Sequence, residues 1–352
     1  MLINNQSEKE RKGFEELQQN VIAQSICTEC AACYITCPFV GVLEYDKAPE
    51  LVGECRSCGF CLQSCPRYVL DQSDLENFVF GRSSSSEESY GVTRGLFAAR
   101  STQPDIYSTC QDGGVATTIL VKALAINIID GAAISGCHHA QLWQPIPILA
   151  RSRNQLVLNA GTRYTYSPNL LAFKEGVQKK LSHIAFVGTP CQIQAVRRIQ
   201  RSPLKKYSQA VGLTIGLFCS ESFRYKGLML DKIQTELGID LDKIVKMNIK
   251  GGLILNLKDN SQITIPLKDL KAVTEQKCHV CTDFSAELAD ISVGGIGLND
   301  WTVTVIRSLQ GEQIFNHCVE EGLLDARLLQ ADELAFRLLH RLSAIKRKRM
   351  SP

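Results

Sequence analysis

The chain has 352 residues, 45% of them hydrophobic and 21% charged, with a formal net charge of +3 and 15 cysteines. That length allows two or three domains with buried cores, and so small a net charge gives no electrostatic reason for a nucleic acid or an anionic membrane as partner. Residues 1–20 are polar and charged rather than a charged-then-apolar leader, and the longest apolar stretch, 115–136, is interrupted by Lys122, Asn127 and Asp130. These features predict a cytoplasmic protein with reduced thiols and no transmembrane segment, a description that leaves room for peripheral docking on a membrane complex.

In chain order, residues 7–24 carry Phe14, Leu17, Val21 and Ile22 at helical spacing, which predicts an amphipathic helix leading into the cysteines. Cys27, Cys30, Cys33 and Cys37, followed by Pro38, read C-x2-C-x2-C-x3-C-P. Cys55, Cys58, Cys61 and Cys65, followed by Pro66, repeat it. This is the two-cluster bacterial ferredoxin pattern, in which the fourth cysteine of each run ligates the cluster of the other. One [4Fe–4S] cluster is expected on Cys27, Cys30, Cys33 and Cys65, and a second on Cys55, Cys58, Cys61 and Cys37. Three thiolates in one tight loop reach three corners of a cube, and the proline turns the chain away with no N–H of its own. Zinc ribbons use two separated C-x2-C knuckles instead.

A short helix is expected near 73–80. The polar run 82–89 cannot bury apolar surface and reads as a linker or mobile loop. From Gly95 onward the texture is α/β but mixed. Strands are expected at 96–99, 132–135, 147–151, 183–187, 211–218, 290–293 and 303–307, and helices at 115–128, 169–180, 192–199 and 223–237. Residues 243–268 read as β-rich with a hairpin turn at 258–261, and helices close the chain. The expected organisation is a ferredoxin-like domain over 1–81, a linker over 82–94 and a larger domain over 95–352. The basic tail Lys346-Arg-Lys-Arg349 reads as a solvated end, with partner docking as the alternative.

Of the other cysteines, Cys278 and Cys281 form a C-x2-C, Cys191 lies at a strand-to-helix turn and Cys219 follows a strand. Strand ends are where residues distant in sequence converge, so these four are candidates for a third [4Fe–4S] site. The alternative is two buried cysteines and an unrelated C-x2-C. Cys318, Cys110 and Cys137 read as structural, the last two as reserve ligands. Gln111-Asp-Gly-Gly114 opens an expected helix, where paired glycines let backbone N–H groups approach a phosphate. The loop from Asn159 to Pro168 carries Arg163 and tyrosines fit for a phosphate and a ring. An ordinary turn is the alternative for each. Gly294-Gly-Ile-Gly297 follows a strand but lacks the final glycine and the helix of a dinucleotide motif.

Gln111–Thr117, Arg163–Pro168, Val187–Gln194, Gly216–Phe223, Cys278–Phe284 and Ala289–Gly294 occur in the order that marks a family. Over about residues 95–310 the chain resembles the family of coenzyme F420 hydrogenase/dehydrogenase beta subunits (F420 is a deazaflavin, not a residue). With its leading ferredoxin module it is most similar to the input subunits of F420H2 dehydrogenase within that family. The resemblance implies a flavin-binding α/β domain holding FAD, with Asp112, Gly113, Gly114, Thr117, Arg163, Tyr164 and Thr189 as FAD contacts. It also implies a third [4Fe–4S] cluster on Cys191, Cys219, Cys278 and Cys281. Coenzyme F420 would be the substrate, exchanging a hydride with FAD. Single electrons would pass between the clusters and a redox partner, either a ferredoxin or a membrane or soluble oxidoreductase complex. Arg163 stands where relatives often carry lysine, and a guanidinium fork is not equivalent to a point charge. Two other roles fit the same scaffold: reduction of another ring substrate, of the chlorophyll-derivative type, and pure electron transfer without a substrate site.

Overall fold

The computed structural model describes residues 12–349 apart from His139. Its strands are β1 (Leu43–Tyr45), β2 (Pro49–Leu51), β3 (Gly95–Ser101), β4 (Gly131–Cys137), β5 (Pro145–Ala150), β6 (Ile184–Gly188) and β7 (Val211–Leu217). They continue as β8 (Ile244–Ile249), β9 (Gly252–Leu257), β10 (Gln262–Pro266), β11 (Ile291–Gly294), β12 (Thr302–Ile306) and β13 (Leu324–Leu328).

The amphipathic segment before the cysteines is helical over Phe14–Ile22, its second half wound in wider π-type turns; residues 7–11 lie outside the described residues. Phe14, Leu17 and Val21 are buried against Cys33, Cys61, Leu62 and Cys65. The two cysteine runs fold as repeats. Each loop enters a short helix, Ala32–Thr36 or Phe60–Ser64, through a left-handed residue, Ala31 (φ 68°) or Gly59 (φ 77°). Each helix ends at an extended cysteine, Cys37 or Cys65. The repeats meet through equivalent hydroxyls, Thr36 Oγ1 and Ser64 Oγ, 2.9 Å apart and buried. An antiparallel β1–β2 hairpin, which the sequence pattern does not reveal, separates the runs.

Beyond Gly95 an eight-stranded sheet runs in the order β13-β3-β12-β11-β7-β6-β4-β5. Strands β11, β7, β6 and β4 are parallel, and the antiparallel β12 sits between β11 and β3. Strands covered on both faces need continuous apolar runs, and β6 supplies one in the fully buried Ile184, Ala185 and Phe186. The helices Leu170–Gln178 and Pro190–Arg201 cover one face, through Phe173, Val177, Ile193 and Val196. Val115–Ala125 and Leu309–Glu320 cover the other. Ala31, Ala32 and Ile35 of the first cysteine repeat join the first face's core, so the two parts pack as neighbours. Arg198 adds a polar brace: its guanidinium donates to the carbonyls of Leu62, Gln63 and Val69 at 3.0, 2.6 and 2.9 Å. Two of these carbonyls lie in the last turn of the Phe60–Ser64 helix, where acceptors lack the i+4 donor of a continuing helix.

Between β7 and β11 the chain inserts a smaller unit. Strands β8, β9 and β10 form an antiparallel meander, with the expected hairpin between β9 and β10. Leu228, Met229 and Ile233, from the π-type helix Lys226–Glu236, pack on Met247, Leu253 and Leu255. That helix stops before Gly238, which takes φ +65°.

Three features differ from expectation. The chain end is not purely helical, because β13 adds an edge strand beside β3. Only Leu324 of β13 is buried, so the strand carries almost no apolar pattern. The short helices Pro104–Thr109 and Arg153–Leu158 bury one residue each and leave equally little signal. The serine-rich run has no regular secondary structure but is tethered: Arg82 forks onto Glu88 at 2.7 Å, and Ser84 donates twice to the buried Glu76.

Candidate redox site

Left-handed residues curl both cysteine loops: Glu29 and Ala31 in the first, Ser57 and Gly59 in the second. Burial pushes the Cys27 thiol up to about 11 and the Cys30 thiol up to about 12, and the Cys65 sulfur adds to both. Cys33 is raised in the same way by burial, Cys30, Cys65 and Cys27. Burial also pushes Cys61 up to about 12, with Cys55, Cys58 and Cys37 as further causes. The Cys65 sulfur thus lies near those of Cys27, Cys30 and Cys33, and the Cys37 sulfur near those of Cys55, Cys58 and Cys61. A small, partly open pocket of about 20 Å³ is lined by Cys37, Cys55, Cys58 and Cys61 together with Phe14, Phe39 and Leu43. The backbone N–H of Phe14 donates to Cys55 Sγ at 3.4 Å, and that of Glu29 to Cys27 Sγ at 3.4 Å. Such donors stabilise a thiolate.

Cys191, Cys219, Cys278 and Cys281 also come together. Cys191 sits in the first turn of Pro190–Arg201, whose capping box joins Thr189 and Gln192. Cys219 follows β7, and Cys278 and Cys281 return from the inserted unit. Burial raises the Cys278 thiol to about 11, with Cys191 and Cys281 contributing, and raises Cys219, with Cys278, Cys281 and Cys191 contributing. Cys281 differs: burial works to raise it, but Lys346 and Arg67 draw it below the usual thiol range. The Ser222 N–H donates to Cys278 Sγ at 3.3 Å.

Among the described residues, no three His, Cys, Asp or Glu side chains converge as the ligands of a single ion do. A four-iron cube asks for something else: thiolates on separate outer corners around a space. The arrangement of Cys37, Cys55, Cys58 and Cys61 around a pocket, and the donors aimed at the sulfurs, fit that requirement.

Side chains to which the motif reading gave no place among the cysteines lie between the first and third groups. Tyr166 is pushed up by burial, with the sulfurs of Cys191 and Cys30 as further causes, so it stands near both groups. Its buried hydroxyl has no hydrogen-bond partner, and Lys277 Nζ lies 4.5 Å from its ring centre. Lys277 is itself buried and paired with Glu29 at 2.5 Å. Burial works against the charge of Arg67, but the sulfurs of Cys281, Cys191 and Cys278 more than offset it. Tyr166 falls within the quoted Arg163–Pro168 motif, and Arg67 follows Pro66 directly. Those two positions were findable from sequence; Lys277 was not. Of the reserve ligands, Cys110 Sγ donates to Asp112 O at 2.8 Å, and Cys137 Sγ accepts from Arg163 Nε at 3.1 Å. Neither adjoins the third group, and Cys318 is buried in the core.

The remaining candidate residues gather at the carboxyl edge of the parallel strands, the usual place for a ligand in such a sheet. Gly113 donates its N–H to Thr302 Oγ1 at 2.9 Å, and Gly114 (φ 74°) starts the helix Val115–Ala125, with Thr117 half-buried in its first turn. The Asp112 carboxylate presses on Gly295. Burial pushes it up, while Lys250 and Lys246 of the inserted unit pull it down. Both lysines thus lie near the loop that opens the helix Val115–Ala125, with Asp300 also at hand and Lys250 Nζ donating to Asn299 Oδ1 at 2.9 Å; two ammonium groups beside a helix N-terminus suit an anion. Gln111 donates to Met247 O at 2.7 Å, and the Tyr164 hydroxyl accepts from Ile249 N at 3.1 Å, clamping both loops to β8. Burial pushes the Tyr164 phenol up to about 12. Arg163 spends Nη1 on the carbonyls of Ser135, Asn159 and Gly161, so it braces its own loop. Thr189 lies beside Cys191, its Oγ1 3.3 Å from the sulfur, rather than with the glycine loop. Ser135 Oγ, Thr165 Oγ1 and Asn248 Oδ1 are buried and unpaired in the surrounding walls. Waiting polar atoms and a basic helix N-terminus fit a polar cofactor. A methyl at Gly113 would meet Ala99 O at 2.5 Å. Gly113→Ala is therefore expected to lower stability by about 1–3 kcal/mol from overpacking, read from a urea midpoint.

Comparison with known proteins bears on these residues. Residues 96–174 match the N-terminal domain of the coenzyme F420 hydrogenase/dehydrogenase beta subunit, and residues 181–332 match its C-terminal domain. The beta subunit of the coenzyme F420 hydrogenase of Methanothermobacter thermautotrophicus is 33% identical over 263 residues, covering 74% of this chain and 93% of the relative. A component of the F(420)H(2) dehydrogenase of Methanosarcina mazei is 31% identical over 345 residues, covering 93% of this chain and 91% of the relative. A chain of the F420-reducing [NiFe] hydrogenase complex from Methanosarcina barkeri superposes with a TM-score of 0.72 at 32% identity, over 76% of this chain and 92% of that one. The two domain matches span the sheet, the inserted unit and all four cysteines of the third group, and the chain belongs to the family of coenzyme F420 hydrogenase/dehydrogenase beta subunits.

Proposed function

We propose that the chain is an iron–sulfur flavoprotein that oxidises reduced coenzyme F420 and passes single electrons to a partner, or runs the same path in reverse. The observation that carries this reading is the continuity of its three cysteine groups: Tyr166 and Arg67 bridge the third to the first, and the second opens at the surface. Bound FAD supplies the conversion between a two-electron hydride and single electrons. Cys27, Cys30, Cys33 and Cys65 would hold one cluster, Cys37, Cys55, Cys58 and Cys61 another, and Cys191, Cys219, Cys278 and Cys281 the third. Gly113, Gly114, Lys246 and Lys250 would receive the negative phosphates of FAD, with Tyr164 closing the loop over them. Tyr166 and Lys277 fill the space between two groups and exclude water from it. No side chain is required as an acid or base. Cys58 is exposed, and Phe39, 41% exposed, lines the same pocket, which gives a protein partner a surface beside that cluster. Among the described residues no helix is long and apolar enough to cross a membrane, so a membrane complex would be met from its surface.

Anaerobic purification with iron and flavin counting tests the reading, with about twelve irons expected from four in each of three clusters, beside one FAD. Reduced coenzyme F420 should bleach the flavin within one turnover. Protein reconstituted with FAD that keeps none would be an electron-transfer adaptor, and retained FAD without bleaching would point to another ring substrate.

A further inference from the structure

The basic tail does not behave as a solvated end. The last turn of the helix Glu333–Arg347 lies over the third cysteine group. Lys346 is 3% exposed and donates Nζ to the carbonyl of Cys219. Arg349 donates Nη1 to the carbonyl of Cys278 at 2.6 Å and to that of Ser220 at 3.4 Å. Arg347 forks onto the buried Glu287 at 3.1 and 2.6 Å, which anchors the turn. A charge run misleads here because only the docking of its helix decides which of its members is buried. Cations in a last helical turn also suit the helix dipole.

Lys346 shares the third cysteine group with Arg67, which also lacks a carboxylate partner among the described residues but donates to the Lys277 carbonyl at 3.4 Å; the other buried cations near the cysteines are paired. Lys277 is paired with Glu29, and Arg197 with Asp290. Among the described residues no carboxylate lies within 4.0 Å of Lys346 Nζ. The nearby Asp283 turns its oxygens to the Glu287 N–H, at 3.1 and 3.3 Å. Burying an ammonium costs several kcal/mol unless an anion compensates it. The anions at hand are the thiolates of Cys219, Cys281 and Cys278 and, beyond 4.0 Å, the buried carboxyl of Asp283. Four thiolates outweigh the charge of the cube they hold, and each electron accepted adds a negative charge. A buried cation beside them therefore favours the reduced state, since net charge and solvent exposure set cluster potentials.

We infer that Lys346 is a positioning residue that raises the reduction potential of the centre on Cys191, Cys219, Cys278 and Cys281, with Arg349 holding the Cys278 carbonyl in place. This rests on the reading of those cysteines as a cluster site. The step involved is the gain of one electron from dithionite, with no bond made or broken. The experiment is an anaerobic dithionite titration followed by electron paramagnetic resonance, on wild-type protein and on Lys346→Met, Lys346→Gln and Lys346→Arg. Wild type is expected to carry three reducible centres. In the Met and Gln variants one of the three should become at least tenfold harder to reduce at a fixed potential, about 59 mV for a one-electron couple, while Arg keeps the wild-type midpoint. An unmoved midpoint with full iron in the neutral variants would overturn the inference, as would loss of four irons from both of them. Only two centres in the wild-type protein would instead overturn the cluster reading beneath it.

Discussion

Cys191→Ser is expected to lose about four irons of about twelve and to stop electron transfer to a protein acceptor, while the flavin still bleaches with reduced coenzyme F420. The substitution is close to isosteric, and the capping box of Thr189 and Gln192 keeps the helix start in place. The fold should therefore survive, and the loss is one of a ligand. The two ferredoxin-type groups lie on separate loops and should keep their iron. Cys137→Ser and Cys318→Ser serve as controls with unchanged iron, since one faces Arg163 and the other the core. Iron analysis and paramagnetic resonance of the reduced protein read the result. A Cys191→Ser protein with its full iron would remove this cysteine from the ligand set.

Arg197→Met is expected to cost about 3–5 kcal/mol of stability, the range for breaking a buried ion pair from one side. Arg197 and Asp290 are 4% and 6% exposed in their side chains and pair at 2.9 Å. The guanidinium also donates to Leu288 O at 2.8 Å and to Thr214 Oγ1 at 2.9 Å. Asp290 Oδ2 accepts from the N–H and hydroxyl of Thr214, both at 2.8 Å. One residue thereby joins the helix that carries Cys191 to β7 and to the entry of β11. Replacing both partners, Arg197→Met with Asp290→Leu, should recover most of the loss, because no unpaired charge then remains buried.

The pH dependence of this pair follows from its sign. Burial works to raise the Asp290 carboxyl, but Arg197 and the Thr214 donors hold it below the usual carboxylate range. A group depressed in the folded state contributes stability above its unfolded value, near about 3.9. That contribution is lost as pH falls through the lower folded value. The gap between wild type and Arg197→Met should therefore be widest near neutrality and shrink below about pH 4, as urea midpoints taken across pH would read.

Much of the redox arrangement was legible because it is local. A tight loop can turn only three thiolates onto one centre, so spacing alone led to the expectation that Cys37 and Cys65 are exchanged between the runs. The strands β4, β6, β7 and β12 were visible as buried apolar runs. What left little trace was edge structure such as β13, whose Arg327 and Asp325 face solvent, and the β1–β2 hairpin of three-residue strands.

From the sequence alone follow the two cysteine repeats of the N-terminal part and the apolar runs that build the sheet, because each depends on residues within one loop or one strand. The tertiary structure alone decided which sulfurs of the later chain meet. The parallel strands β6 and β7 deliver Cys191 and Cys219 to one edge, and the return from the inserted unit brings Cys278 and Cys281 to them, from positions up to ninety residues apart. It also decided the fate of the charges. Lys346 and Arg349 turn inward onto that group while Lys348 between them stays exposed, since burial of a charge is settled by the packing of its helix and not by its neighbours in sequence.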